Sequence, residues 1–192
     1  MALRKIGLGN VPLPYFNRNN LVFADKTMYV QKLEELESTA VVFLRPRRFG
    51  KTLFTDILQN YYDRNQAARF DENFRGTWIH SHRTTLAGSF YCLRLDFSMV
   101  PPFPARISEG LVDSMLMGMA AFTVCYPEIG LPTAQLNPEL YDSPTKLLIA
   151  FIRNFILRAG QDARLFLIID EYDHFANDVL SSDRDAFREL TS

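Results

Sequence analysis

The sequence predicts an α/β domain with a largely parallel sheet flanked by helices, and three observations carry that prediction. Residues 41–44 (VVFL) and 165–169 (LFLII) are short, continuous apolar runs, the composition of parallel strands covered on both faces. Residues 89–97 read as a further strand, with Phe90, Cys92, Leu93, Leu95 and Phe97 as its apolar positions. Between these runs lie segments whose apolar residues recur at helical spacing, and strands alternating with helices are the pattern of parallel α/β sheets.

Along the chain, the opening segment to about Arg18 is broken by Gly and Pro and reads as irregular, before the short apolar stretch Leu21-Val22-Phe23. A helix is expected over 28–36, with Asp25 or Thr27 as its cap. After the 41–44 run the period becomes helical from Lys51, with Phe54, Ile57, Leu58 and Tyr61 on one face. Residues 63–88 are polar with scattered aromatics and give no clear element, although Trp78-Ile79-His80 suggests a short segment packed on the core. Pro101, Pro102 and Pro104 mark a turn after the 89–97 strand. A helix over 105–123 follows, with Ile107, Leu111, Met115 and Met119 on one face as core filler. Ser143-Pro144 is a helix start, a cap followed by proline at the first position. Leu147, Leu148, Phe151, Ile152, Phe155 and Ile156 carry that helix to Gly160, and the 165–169 strand ends in Asp170-Glu171. No internal repeat or linker divides the chain, so one domain over residues 1–192 is expected.

With 47% hydrophobic and 22% charged residues the chain is of ordinary globular type, able to bury one sizeable core. A net charge of -1 supplies no global basic field, so nucleic acid is unsupported as a partner except through a local patch. Cys92 and Cys125 lack CxxC spacing and read as buried structural thiols in a reducing compartment, and zinc is not expected. His80, His82 and His174 form no ligand spacing. The amino terminus lacks the apolar core of a secretory signal. The most apolar helical stretch, 147–157, is interrupted by Arg153 and Asn154 and is too short to span a bilayer. No membrane partner and a cytoplasmic location are expected.

The segment RPRRFGKT, residues 45–52, falls between an apolar run and a helical pattern, the context of a phosphate-binding loop (Walker A, GxxxxGK[ST]). Arg45 stands where that pattern has its first glycine. The missing glycine provides loop flexibility and no functional group, so Arg45 and Pro46 can turn the chain differently. Gly50 allows close backbone approach, Lys51 reaches the β and γ phosphates, and the Thr52 hydroxyl ligates magnesium. Backbone N–H groups around Phe49, Gly50 and Leu53 and the positive end of the following helix complete such a cradle. For Arg47 and Arg48, phosphate contact, pairing with acids such as Asp173, and plain solvation compete evenly. Asp170 and Glu171 close the 165–169 strand at its carboxyl end, where open α/β sheets place their ligands. Asp170 there would hold magnesium through water and Glu171 would orient an attacking water, the two carboxylates of a Walker B motif. The competing bland readings are an exposed basic turn capped by Thr52 and a pair of acids that merely end a strand. Asp96, at another strand end, reads first as a terminator of that strand.

RPRRFGKT together with LIIDEYD, and FADKT at residues 23–27, resembles the bacterial AAA-ATPase-like family, whose members often carry a PD-(D/E)XK nuclease-like region after the ATPase part. The resemblance runs from about Ile6 to Asp173, and RPRRFGKT is the usual form of that family's loop, so Arg45 fits it. It implies a P-loop ATPase core with an extra strand, here 89–97, between the two motif strands. It also implies a further strand with a polar sensor beyond the DEYD motif, so the chain is expected to be truncated after the Walker B strand. The functional expectation is ATP binding with magnesium-dependent hydrolysis, with ATP and Mg2+ as cofactors and a protein partner or homo-oligomer as context. The alternatives are a non-hydrolysing, nucleotide-dependent interaction module and, more weakly, a basic-loop nucleic-acid binder.

Overall fold

The computed structural model describes residues 5–6, 15–16, 19, 21–22, 24–36, 38–44, 49–101, 103–132 and 143–172. The chain divides into two compact units, Met1–Tyr91 and Cys92–Ser192.

In the first unit, β1 (Lys5–Ile6) and β2 (Leu21–Val22) pair in parallel, Lys5 opposite Leu21 and Ile6 opposite Val22. The opening segment, expected to be irregular, therefore contributes a short strand. Helix α1 (Met28–Glu35) and helix α2 (Lys51–Tyr62) form where the periodicity placed them. The cap of α1 differs from expectation. Thr27 occupies the N-cap but makes no side-chain cap bond, because its hydroxyl accepts the Ile79 N–H at 3.0 Å instead.

The larger difference is residues 41–44, which form no strand: Val41, Val42 and Leu44 are exposed, Val42 by 70%, and only Phe43 turns inward to stack on Phe54 at 4.9 Å. An apolar run is necessary for a buried strand but not sufficient. A strand also needs a neighbour to take its N–H and C=O groups, and composition does not supply one.

Residues 63–88, opaque in the sequence, fold as a 3-10 turn (Arg64–Arg69), helix α3 (Phe70–Phe74) and a second 3-10 turn (Ile79–Ser81). Ile79 is fully buried, as the Trp78-Ile79-His80 pattern suggested. The unit's core is aromatic. Tyr61 meets Tyr62, Phe70 and Phe74 edge-on, with centroids 5.2–6.0 Å apart, a geometry worth about 0.5–1.5 kcal/mol per pair beyond area burial. The phenols of this core are satisfied internally. Tyr62 Oη donates to Glu34 Oε1 at 3.0 Å, Thr84 Oγ1 donates to the same oxygen, and Tyr61 Oη donates to Thr84 Oγ1 at 3.1 Å. Burial, and then the Glu34 charge and its hydrogen bond, push the Tyr62 phenol above its ordinary range. Asp63 bridges to Phe90 in parallel sense and its side chain accepts the Asn65 N–H, ending α2.

In the second unit, β3 (Tyr91–Asp96, its first residue closing the first unit) and β4 (Leu165–Asp170) form a two-stranded sheet. The Phe97 N–H donates to the Asp170 carbonyl at 3.1 Å, so the carboxyl ends of both strands lie together, as parallel strands require. Helix α4 (Pro104–Cys125) and helix α5 (Pro144–Ala159) connect them and pack on each other, Phe122 meeting Phe151 and Phe155 edge-on. At Gly118, α4 comes so close to β3 that a Cβ there would stand 2.5 Å from the Arg94 carbonyl oxygen. Ser143 caps α5 by accepting the Lys146 N–H, with Pro144 at the first helical position, as the sequence indicates.

Three expectations are corrected in this unit. Strand β4 is not covered on both faces: Ile168 and Asp170 are buried, 165–167 are half-buried and Ile169 is 42% exposed, because a two-stranded sheet leaves surface open among the described residues. Cys92 is buried, but Cys125, in the last turn of α4, is exposed. Among the described residues, the helix long and apolar enough to cross a membrane is α4 over Arg106–Cys125, not the 147–157 stretch. Its Ile107, Val112, Met115, Met119 and Phe122 are buried, whereas Met117 and Val124 are exposed.

Candidate functional site

The loop's working residues open α2. Gly50 is its N-cap with φ +78°, a left-handed conformation that L side chains adopt only at a cost of about 1–2 kcal/mol, so the glycine is required by the backbone itself. Its carbonyl accepts the Phe54 N–H at 3.0 Å, the first intrahelical bond. Lys51, Thr52 and Leu53, all half-buried, form the first helical turn, whose N–H groups point out of the helix start along with the positive end of its dipole. Phe49 is exposed. Arg45, Pro46, Arg47 and Arg48 lie outside the described residues. The loop is followed by the expected helix, but residues 41–44 before it form no strand.

A lysine that the sequence reading passed over reaches this loop. Lys26 Nζ donates to the Phe49 carbonyl at 3.2 Å and stands 3.4 Å from where a Gly50 Cβ would be. Its neighbours face elsewhere. The Asp25 carboxylate accepts the Thr27 N–H at 2.9 Å and the Trp78 N–H at 2.7 Å, while the buried Thr27 hydroxyl accepts from Ile79. The signal available in advance was FADKT itself, a lysine between two residues of turn and cap type.

The acid pair ends β4 in the second unit. Asp170 is buried; its Oδ2 accepts from Arg94 Nη2 at 2.7 Å, an ion pair from the neighbouring strand, and its Oδ1 accepts the Glu171 N–H at 3.0 Å. Glu171 is half-buried and has φ +53°, among the described residues the one non-glycine with a left-handed backbone. Such strain tends to persist where surrounding structure over-determines it, frequently at functional sites. Arg94 was not singled out in the sequence, where an arginine inside the apolar run YCLRLDF was its only mark. Asp96 is exposed and accepts the Ser98 N–H, so it terminates β3. His80 pairs with Asp71 and stacks on Phe70, His82 stacks on Trp78 and bonds its carbonyl, and His174 lies outside the described residues. The structure thus joins Gly50, Lys51, Thr52 and Lys26 in the first unit, and Asp170, Glu171 and Arg94 in the second.

This is an α/β protein with small parallel strand pairs flanked by helices, carrying a glycine-lysine-threonine helix start and an acid pair at a strand end. The chain matches the family described as predicted AAA-ATPase over residues 13–192, and it belongs to that family. Membership gives it an ATP-related function in general. Neither a curated protein nor a solved structure matches the chain.

Proposed function

We propose that the chain is an ATP-binding P-loop domain of magnesium-dependent ATPase type, in which both units belong to one nucleotide-binding domain working in the cytoplasm. The observation that carries this reading is the left-handed Gly50 N-cap followed by Lys51 and Thr52 at the start of a twelve-residue helix, in a chain of the predicted AAA-ATPase family. The donor set suits the ligands. A cationic side chain beside a helix N-terminus fits a polyphosphate, and a buried carboxylate with a hydroxyl fits a hard, oxygen-seeking cation. Lys51 binds the β and γ phosphates, with 45–53 as the loop. Thr52 and Asp170 are the residues that would hold magnesium, Asp170 through water. Bound magnesium would neutralise charge on the phosphates. Glu171 accepts a hydrogen bond from the attacking water and orients it.

A second reading has its own support. Both Asp170 oxygens already accept hydrogen bonds, one from a guanidinium, which suits a non-hydrolysing module in which nucleotide orders an interaction surface for a protein partner or a second copy.

Isothermal titration with ATP and magnesium tests the main reading. Wild type gives binding heat, and Lys51→Ala weakens binding at least a hundredfold, since a phosphate loses its charged partner, about 3 kcal/mol. Equal affinities would remove the loop from the site. Phosphate release on mixing with ATP, lost in Glu171→Gln with binding retained, separates the ATPase from the module.

A further inference from the structure

We propose that Lys26 is a positioning residue of the nucleotide loop: by holding the Phe49 carbonyl, it turns the Gly50 N–H toward the phosphates. The inference rests on the nucleotide-binding reading above and adds to it a residue 23 positions before the loop carbonyl it holds.

The argument begins with the peptide plane. In a trans peptide the C=O and the following N–H point in opposite directions, so fixing the Phe49 carbonyl also fixes the Gly50 N–H. A loop that binds an anion needs N–H groups converging on it, and a carbonyl rotated inward would set a negative partial charge against the phosphate oxygens. Glycine is the residue at which such a rotation costs least, because φ of either sign is open to it. The left-handed Gly50 is therefore both what the loop requires and its weakest point, and the Lys26 ammonium bonds to the peptide that needs fixing. A charged donor makes that bond stronger than a neutral one would.

The lysine is itself held. Asp25 accepts backbone N–H groups from Thr27 and Trp78, and Thr27, fully buried, accepts from Ile79. Asp25 and Thr27 thus fasten the backbone on both sides of Lys26 to the Trp78–Ile79 turn, and the side chain between them is left to reach Phe49. This division of roles accounts for the order Asp-Lys-Thr. The first and third residues build the support, and the second uses it.

The test compares wild type, Lys26→Met, Lys26→Arg and Lys51→Ala in the 192-residue chain, by titration with ATP and magnesium and by thermal unfolding. Methionine keeps the stem and removes the donor, so affinity should fall about tenfold with an unchanged unfolding temperature, the effect of losing one charge-assisted hydrogen bond on a partly exposed loop. Arginine retains a charged donor and should recover most of the loss. Wild-type affinity in Lys26→Met, beside a weakened Lys51→Ala, would overturn the role of Lys26 and leave the loop reading standing. An equal loss in Lys26→Met and Lys26→Arg, or an unfolded Lys26→Met, would make Lys26 a structural residue and likewise overturn it. Absence of nucleotide binding by wild type would remove the loop reading and this inference together.

Discussion

Replacing Arg94 by methionine should destabilise the protein by about 3 kcal/mol, because it removes the cation paired with a buried carboxylate. In the native state the Arg94 side chain is 24% exposed and that of Asp170 is 6% exposed, with 2.7 Å between guanidinium and carboxylate. Breaking a fully buried pair costs about 3–5 kcal/mol, and the partial exposure of Arg94 lets some water replace it, which puts the figure at about 2–4. Methionine conserves most of the apolar stem, so the loss reports charge rather than packing. Asp170 Oδ1 still accepts the Glu171 N–H, a neutral donor that does not replace the guanidinium charge. In urea, with a slope of about 2 kcal/mol per molar, the unfolding midpoint should fall by roughly 1.5 M. Far-UV circular dichroism follows the transition. The companion variant Asp170→Leu and the double variant close a cycle in which the coupling is at least about 1 kcal/mol, since with no carboxylate to pair with, Arg94→Met should cost far less. A loss under about 0.5 kcal/mol for Arg94→Met, with no coupling in the cycle, would refute the claim that Arg94 holds Asp170.

Three further outcomes are expected. Asp170→Asn should lower ATP affinity more in magnesium than in chelator, since the proposed carboxylate role is to serve the ion; an identical loss in both conditions would assign Asp170 to structure alone. The raised Tyr62 phenol keeps its proton in the folded state, so its contribution to stability is full below its unfolded value of about 10 and is lost as pH rises past it. Urea titrations between pH 8 and 11 should therefore fall less steeply for Tyr62→Phe than for wild type, and parallel curves would count against it. Trp78, the single tryptophan, lies in the first unit. If both units belong to one domain, its fluorescence and the far-UV signal should change at the same urea concentration, whereas two separated midpoints would mean two independent domains.

The sequence by itself determined helices α1, α2, α4 and α5. Period and capping residues are local, so α2 beginning at Lys51, α5 beginning at Ser143-Pro144, and strands β3 and β4 could be read from spacing alone. The loop residues Gly50, Lys51 and Thr52 and the acids Asp170 and Glu171 stood out because their order relative to those elements is itself a local pattern. What only the tertiary structure decided depends on partners distant in the chain. Residues 41–44 have strand composition, yet a strand exists only if another offers a ladder to it, and no window of sequence contains that fact. The turn at 79–81 is held by Asp25 and Thr27, about fifty residues earlier, through the Trp78 and Ile79 N–H groups, so its own residues carry little signal. Arg94 and Lys26 are the sharpest cases. Each is a charged residue whose role lies in which group it reaches, 76 and 23 positions away, and that distance is closed only by folding.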